Sequence, residues 1–124
     1  EVLRLAGGGY FLQQPVLARD LANLILSLHG NSSTYGQIFC VAGPEIIESR
    51  AYYQILADLL GVSLQIEELP VEPFRAAHPD TIPFLCHRFY DLSKLAATSA
   101  AMPATPLVTG LREQIADLEA NTRA

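Results

Sequence analysis

The feature that most constrains the fold is a run of four apolar residues at 38–41 (Ile-Phe-Cys-Val), which a Gly-Pro pair at 43 and 44 closes. A run of this length without polar alternation is typical of a strand buried on both faces, as in parallel sheets, so we expect a strand over residues 37–42. A helix follows, because apolar side chains recur at helical spacing from Tyr52 to Leu60 and Gly61 then ends the pattern. Residues 63–69 alternate apolar and polar side chains as an edge strand does. This strand–helix–strand order indicates an α/β fold.

Turn residues and apolar spacing locate the other elements. The predicted elements are a strand over residues 1–6, a turn at Gly7–Gly9, an extended piece at 14–18, a helix over 19–29 that Gly30 ends, and helical turns over 71–77 and 82–89.

Three residues have the character of helix caps. Ser49 is expected to be the N-cap of the helix behind the apolar run, and Asp91 the cap of a short helix that reaches Thr98. Thr105 followed by Pro106 predicts the start of a last helix, which an apolar stripe extends to about residue 121.

Length and composition bound the class of protein. The 124 residues suffice for one small domain, predicted to span 1–124, and half of them are apolar, so disorder is not expected. No apolar run approaches the roughly 20 residues of a membrane-spanning helix, so no membrane partner is expected. The net charge is −5 and the eight basic residues form no stripe, which argues against a nucleic-acid partner.

Cysteine usage points away from metal and disulfide chemistry. Cys40 and Cys86 both lie in apolar runs, and neither has a second Cys or His at zinc-site spacing. We therefore expect buried free thiols, no metal site and a reducing, cytoplasmic location.

Four features carry candidate chemistry, each with a structural alternative. Tyr90 and Lys94 lie one helical turn apart, so the lysine would be near a tyrosine acid or base, although the pattern is short and common by chance. Arg88, adjacent to His87, is suited to bind a phosphate or carboxylate, or to pair with a neighbour such as Asp91. Asp20 is an N-cap, an ion-pair partner or an acid, with capping favoured.

The glycine-rich segment Gly7–Gly9 is the fourth feature. Phosphate-binding loops use glycine for close backbone approach, but this segment lacks the spacing of a dinucleotide fingerprint and no Lys-Ser or Lys-Thr follows it. A turn is the favoured interpretation.

Taken in chain order, several segments resemble the extended short-chain dehydrogenase/reductase family, the family of nucleotide-sugar epimerases and dehydratases. The matching segments are the glycine turn at 7–9, Gln-Gln-Pro-Val at 13–16, Asp-Leu-Ala at 20–22, the strand-like segment at 36–43, Tyr-Asp-Leu-Ser-Lys-Leu at 90–95, and Pro103 with the helix start at 105–111. They resemble only the C-terminal, substrate-binding portion of such an enzyme.

The resemblance implies a small mixed α/β domain that belongs to a larger Rossmann-like, NAD(P)-binding fold. It implies that the N-terminal dinucleotide-binding domain and the catalytic Tyr-x-x-x-Lys lie outside this chain. Hence we expect no catalytic and no cofactor-binding residue here, with NAD or NADP bound by the parent enzyme and a small molecule as substrate. The candidate substrate-binding residues are Gln13, Gln14, His87 and Arg88. The family's diphosphate-binding Arg falls on Gln13, a neutral amide, which disfavours a nucleotide-sugar diphosphate.

A second function remains open at this point. The chain is alternatively a free-standing small α/β interaction or dimerisation module without catalysis. The apolar segment 38–41 favours the first interpretation, because a strand buried on both faces needs sheet neighbours on both sides. Outside its parent, the chain is expected to self-associate as a homodimer, whereas a compact monomer would favour the free-standing module.

Overall fold

A computed structural model describes residues 1–122 of the chain, which form a small mixed α/β structure. It divides into two compact units. Residues 1–13 and 46–88 form what we call the sheet unit, and residues 14–45 and 89–122 the helical unit. The strands are β1 (Val2–Ala6), β2 (Leu12–Gln13), β3 (Ile47–Glu48) and β4 (Gln65–Leu69), and the helices are α1 (Ala18–Leu28), α2 (Ser49–Leu60), α3 (Val71–Ala77), α4 (Ser93–Ala96) and α5 (Leu107–Thr122).

Two parallel strands organise the sheet unit. β1 and β4 pair in register from Val2 opposite Gln65 to Ala6 opposite Leu69, and α2 precedes β4 in the chain. The strands predicted over residues 1–6 and 63–69 are thereby confirmed, as is the helix that ends at Gly61, whose φ of +67° is the left-handed conformation of a helix C-terminus.

A second, shorter ladder joins β2 to β3 in antiparallel register, Leu12 opposite Glu48 and Gln13 opposite Ile47. Next to it, both the backbone N–H and the hydroxyl of Ser49 donate to Phe11 O, at 3.0 and 3.1 Å. The prediction that Ser49 is an N-cap is wrong, because the N-cap position of α2 is Glu48 and the Ser49 hydroxyl donates to Phe11 O, just before β2.

The turn at Gly7–Gly9 connects the two ladders and is confirmed. Its three residues have φ values of +57°, +63° and +74°, a conformation that side chains with a Cβ adopt at a cost. A Cβ on Gly9 would also lie 3.1 Å from the backbone nitrogen of Arg50. Glycine is therefore needed here for backbone geometry.

In the helical unit, α1 and α5 and the short α4 each contribute a leucine to the core: Leu24, Leu111 and Leu95 are all buried. The predicted helix over 19–29 is confirmed as α1, within one residue at each end. The predicted cap at Asp91 is wrong, because the N-cap position of α4 is Leu92, and the helix ends at Ala96, short of Thr98. The Asp91 carboxylate instead accepts from the N–H of Ser93, the first residue of the helix, at 2.8 Å, and its bonds to Ser93 lower the pKa of Asp91.

The start of the last helix differs from the prediction. α5 begins at Leu107, and the carboxylate of Glu45 accepts its first N–H. Thr105, the expected cap, instead donates its hydroxyl to Asp20 Oδ1 at 2.8 Å. The Glu45 carboxylate thus takes the place expected for the Thr105 side chain as acceptor at the helix start, since a charged acceptor forms the stronger hydrogen bond.

The strand predicted over residues 37–42 is wrong. All four strands of the described chain belong to the sheet unit, so this segment of the helical unit has no strand to pair with inside its own unit. Ile38 is 88% exposed, although Ala42 is buried. An apolar run becomes a buried strand only where neighbouring strands complete its hydrogen bonds, and none does so here.

The prediction of buried thiols is also wrong, since Cys40 and Cys86 are both free and exposed. Cys40 lies within the exposed apolar segment 38–41. Cys86 lies in the loop after the short 3-10 helix Pro79–Phe84 and directs its Sγ to Pro83 O at 3.4 Å. Only the first turn of the helical stretch expected over 82–89 is present, because that 3-10 helix ends at Phe84.

Candidate ligand site

A cavity of about 310 Å³ opens in the sheet unit, and we call it the Arg88 cavity. Its wall combines cationic, neutral polar, aromatic and aliphatic side chains. They are Arg4 and Arg88, then Gln13, Ser49 and Thr81, then Phe11, Tyr53, Phe74 and Phe84, and finally Leu5, Ala6 and Leu85. Two of the four predicted substrate contacts, Gln13 and Arg88, thus line one cavity although they lie far apart in the sequence.

The β2 strand brings these two residues together. Leu12 O accepts from Arg88 N–H at 2.8 Å, and Leu12 N–H donates to Nδ1 of His87 at 3.1 Å. Both backbone groups of Leu12 therefore hold residues 87 and 88 beside the strand. Gln13, the next residue of that strand, is fixed by its pairing with Ile47.

The two cations of the wall differ in their partners. Arg4 is paired, its Nε donating to Glu67 Oε2 at 2.9 Å across β1 and β4. Arg88 lies with its guanidinium carbon 4.6 Å from the centre of the Phe84 ring, and no carboxylate of the sheet unit forms an ion pair with it. Its Nε is buried without a hydrogen-bond partner. Arg88 therefore retains a positive charge and a donor that a ligand can satisfy.

The wall of the Arg88 cavity contains no aspartate or glutamate. This is notable in a chain with 13 acidic and 8 basic residues. Because an unpaired guanidinium lines a wall without a carboxylate, the cavity favours an anion.

His87 occupies a supporting position. Its Nδ1 accepts from the strand, so the neutral ring carries its proton on Nε2, and the ring packs edge-on against Phe11 with centroids 5.9 Å apart. The side chain is exposed and outside the cavity wall. The structure therefore assigns His87 to placing Phe11 and Arg88.

Gln14 belongs to the helical unit, where both ends of its amide are engaged. Nε2 donates to Gly43 O at 2.9 Å and Oε1 accepts from Tyr90 N–H at 3.0 Å. The amide thus links three segments of that unit, and it has a structural role there.

Tyr90 and Lys94 also lie in the helical unit. The Lys94 ammonium donates to Ile38 O at 3.0 Å and lies 5.1 Å from the centre of the Phe39 ring. The lysine thus anchors the uncovered apolar segment and is not hydrogen-bonded to the Tyr90 hydroxyl. This geometry supports the structural interpretation of the pair.

Asp20 has an unexpected role. The N-cap position of α1 is Leu17, so Asp20 lies in the first turn and the capping interpretation is wrong. Its carboxylate accepts from Thr105 N–H at 2.8 Å, from the Thr105 hydroxyl at 2.8 Å and from Ala104 N–H at 3.0 Å. The bonds from Thr105, the backbone one first, lower the pKa of Asp20 against an opposing effect of desolvation.

Sequence reasoning missed several residues of the Arg88 cavity. Phe84 and Arg88 are four residues apart, a spacing at which an aromatic ring and a guanidinium can meet, and this was the available signal. Arg4 and Thr81 gave none, because only the strand pairing and the turn of residues 79–84 bring them to the wall.

The glycine turn does not have the form of a dinucleotide-binding loop. The glycines at Gly7–Gly9 follow β1, but the chain continues into β2, whereas a pyrophosphate cradle needs a glycine loop that enters a helix. Residues 1–122 also contain no group of three or more His, Cys, Asp or Glu side chains that could hold a metal ion. No helix among them has the length and apolar character needed to cross a membrane.

Comparison of the sequence with protein-family models and with curated proteins finds no match in either case.

Proposed function

We propose that the chain is the substrate-binding C-terminal part of an NAD(P)-dependent epimerase, dehydratase or reductase of the extended short-chain dehydrogenase/reductase kind. It binds a nucleotide sugar or a related small molecule and is not catalytic by itself. The observation that carries this proposal is the Arg88 cavity, in which an unpaired guanidinium, a carboxamide and four aromatic rings surround a space of ligand size.

In this proposal the chain's own residues bind and orient the substrate. Arg88 holds an anionic group, Gln13 hydrogen-bonds beside it, and the aromatic wall excludes water from the apolar part. The nicotinamide cofactor, NAD or NADP, supplies the hydride chemistry when it is bound by the N-terminal Rossmann domain of the parent chain, which is the proposed partner. The proposed location is the cytoplasm.

The uncovered segment 37–42 supports the same proposal. Its sequence is that of a buried strand, yet the helical unit offers it no strand, and Ile38 is left 88% exposed. A neighbouring sheet contributed by the parent chain would complete its hydrogen bonds and cover its apolar side chains.

The reading frame upstream of Glu1 tests the proposal. It should encode a strand, a glycine-rich loop of the G-x-G-x-x-G type and a helix, followed by a Tyr-x-x-x-Lys pair. A start codon directly before Glu1 would contradict the proposal.

A second function, a free-standing interaction or dimerisation module, is favoured by one observation. The helical unit exposes several large apolar side chains near one another in sequence, Ile25, Leu26, Tyr35 and Ile38. Exposed apolar surface of this kind is typical of interaction sites. A start codon directly before Glu1 would favour the module.

A further inference from the structure

We propose that the Arg88 cavity binds a small aromatic monocarboxylate, a ligand with one negative charge and one planar ring. This inference deepens the proposed function and rests on it in taking the cavity as the substrate site. It replaces the broad class of nucleotide sugars and related molecules with one chemical class.

The charge of the cavity wall sets the charge of the ligand. Arg4 is already neutralised by Glu67, and no acidic residue lines the wall, so one cation, Arg88, remains uncompensated. One guanidinium balances one carboxylate, which its planar fork binds through two parallel hydrogen bonds. A diphosphate would bring further negative charges into a wall whose other cation, Arg4, is already paired and whose remaining polar groups, on Gln13, Ser49 and Thr81, are neutral. A desolvated charge without a charged partner is costly.

The aromatic side chains and the volume of the cavity determine the shape of the uncharged part of the ligand. Phe11, Phe74, Phe84 and Tyr53 supply aromatic surface, which pairs with a flat ring through offset or edge-on contacts. A volume of about 310 Å³ is at the lower end of the range for small-molecule sites, roughly 300–1,000 Å³. This space suits a single ring with a short acidic chain better than a nucleotide joined to a sugar.

The structure contains an unpaired hydrogen-bond donor that the ligand can satisfy. Arg88 Nε is buried and has no hydrogen-bond partner, whereas buried polar groups are nearly always paired in folded proteins. A carboxylate that binds the guanidinium would satisfy this group, and the Phe84 ring behind it holds the guanidinium plane in place.

The test is a titration of the ¹⁵N-labelled 124-residue chain, followed by NMR, with trans-cinnamate and its neutral amide, cinnamamide. We expect cinnamate to shift the Arg88 Nε–H signal and the amides of cavity residues, and to bind about tenfold to a hundredfold more tightly than cinnamamide, the range expected for a charge-assisted hydrogen bond. Equal binding of the two compounds, or shifts confined to other residues, would overturn the proposal.

Two variants make the test specific. Arg88→Gln should weaken cinnamate binding by the same tenfold to hundredfold. Arg50→Gln is the matched control, since Arg50 also stacks on a ring, that of Tyr10 at 4.4 Å, but lies outside the cavity wall, and it should bind cinnamate as the unmodified chain does. If Arg88→Gln does not fold, Arg88→Lys replaces it and should bind more weakly, because an ammonium cannot form the bidentate pair. Equal effects of the substitutions at 50 and 88, or unweakened binding by Arg88→Lys, would contradict the proposal.

Inorganic phosphate and UDP-glucose complete the series. Tighter binding of UDP-glucose than of cinnamate would overturn the monocarboxylate inference and leave the proposed function standing. Absence of any cinnamate binding would also overturn the inference, whereas the proposed function is decided separately by the upstream reading frame.

Discussion

At the scale of single residues, the partner of a side chain decides its role. Arg4 and Arg88 line the same cavity, but Glu67 neutralises the first and an aromatic ring supports the second. In the same way, Asp20 acts on a distant segment, because three donors around Thr105 face its carboxylate. Such roles depend on contacts that the fold creates, and this is why the sequence left the partner of Arg88 open and did not indicate the role of Asp20.

The Asp20 carboxylate should make stability depend on pH. Its pKa is lower in the folded chain than the ordinary value of 3.8, so its contribution is present above that value and is lost as the pH falls through the folded pKa. Asp20→Asn should therefore lower the urea midpoint of unfolding at pH 7, and the difference from the unmodified chain should shrink below about pH 4.

Urea titrations at several pH values, followed by circular dichroism, measure this effect. Asp117→Asn is the control, because Asp117 is exposed on α5 and makes no hydrogen bond or ion pair with the described residues. A difference between the unmodified chain and Asp20→Asn that stays constant down to the lowest pH would contradict the assigned role.

At the scale of elements, local patterns predicted what local interactions decide. The parallel strands β1 and β4 and the helices α1, α2 and α3 lie where spacing and turn residues indicated. The predictions of a strand over residues 37–42 and of a cap at Ser49 were both wrong because they depend on non-local contacts. The first segment has no strand to pair with in its unit, and the Ser49 hydroxyl donates to Phe11 O. Two of the four predicted substrate contacts line the Arg88 cavity, Gln13 from the family resemblance and Arg88 from its residue type, but only the strand pairings show that they meet.

Ser49 offers a direct test of its corrected role. Asp is as good an N-cap as Ser, so a capping Ser49 would tolerate Ser49→Asp, while Ser49→Ala would cost about 1 kcal/mol. Because the hydroxyl instead donates to Phe11 O, and the Ser49 N–H donates to the same oxygen, we expect Ser49→Ala to be the milder change. Ser49→Asp should be the more destabilising, by roughly 1–3 kcal/mol, since a carboxylate would face a carbonyl oxygen.

The free energy of unfolding in urea ranks the two variants. Glu48→Asp, at the N-cap position of α2 itself, controls for the general effect of an aspartate at this helix start. A ranking in which Ser49→Asp is as stable as the unmodified chain would restore the capping role.

At the scale of the whole molecule, the described chain covers little of its own apolar surface. The fully buried large side chains are Leu24 and Leu95, while Leu26 is 72% exposed beside Ile25 on α1. Because large apolar patches are rare on small monomers, we expect these exposed side chains to be covered by another protein surface. In the proposed function that surface belongs to the parent chain, and in the isolated chain a second copy would be its substitute.

The isolated chain should therefore self-associate, most simply as a symmetric dimer. Light scattering coupled to size exclusion measures the mass, and the double variant Leu26→Lys with Ile38→Lys should shift it toward the monomer. Ile82→Lys, at an exposed apolar position of the sheet unit, is the control and should leave the dimer intact. A 13.5 kDa species for the unmodified chain would contradict the prediction.

The central claim is that this chain binds substrate while the parent enzyme binds the dinucleotide elsewhere. Calorimetric titration with NADH and NADPH, run in parallel on the 124-residue chain and on the product of the extended upstream reading frame, tests it most directly. The account predicts no binding to the chain, whose glycine turn leads into a strand, and binding to the extended product with a dissociation constant on the order of micromolar. Micromolar binding of either dinucleotide to the 124-residue chain alone, or none to the extended product, would contradict it.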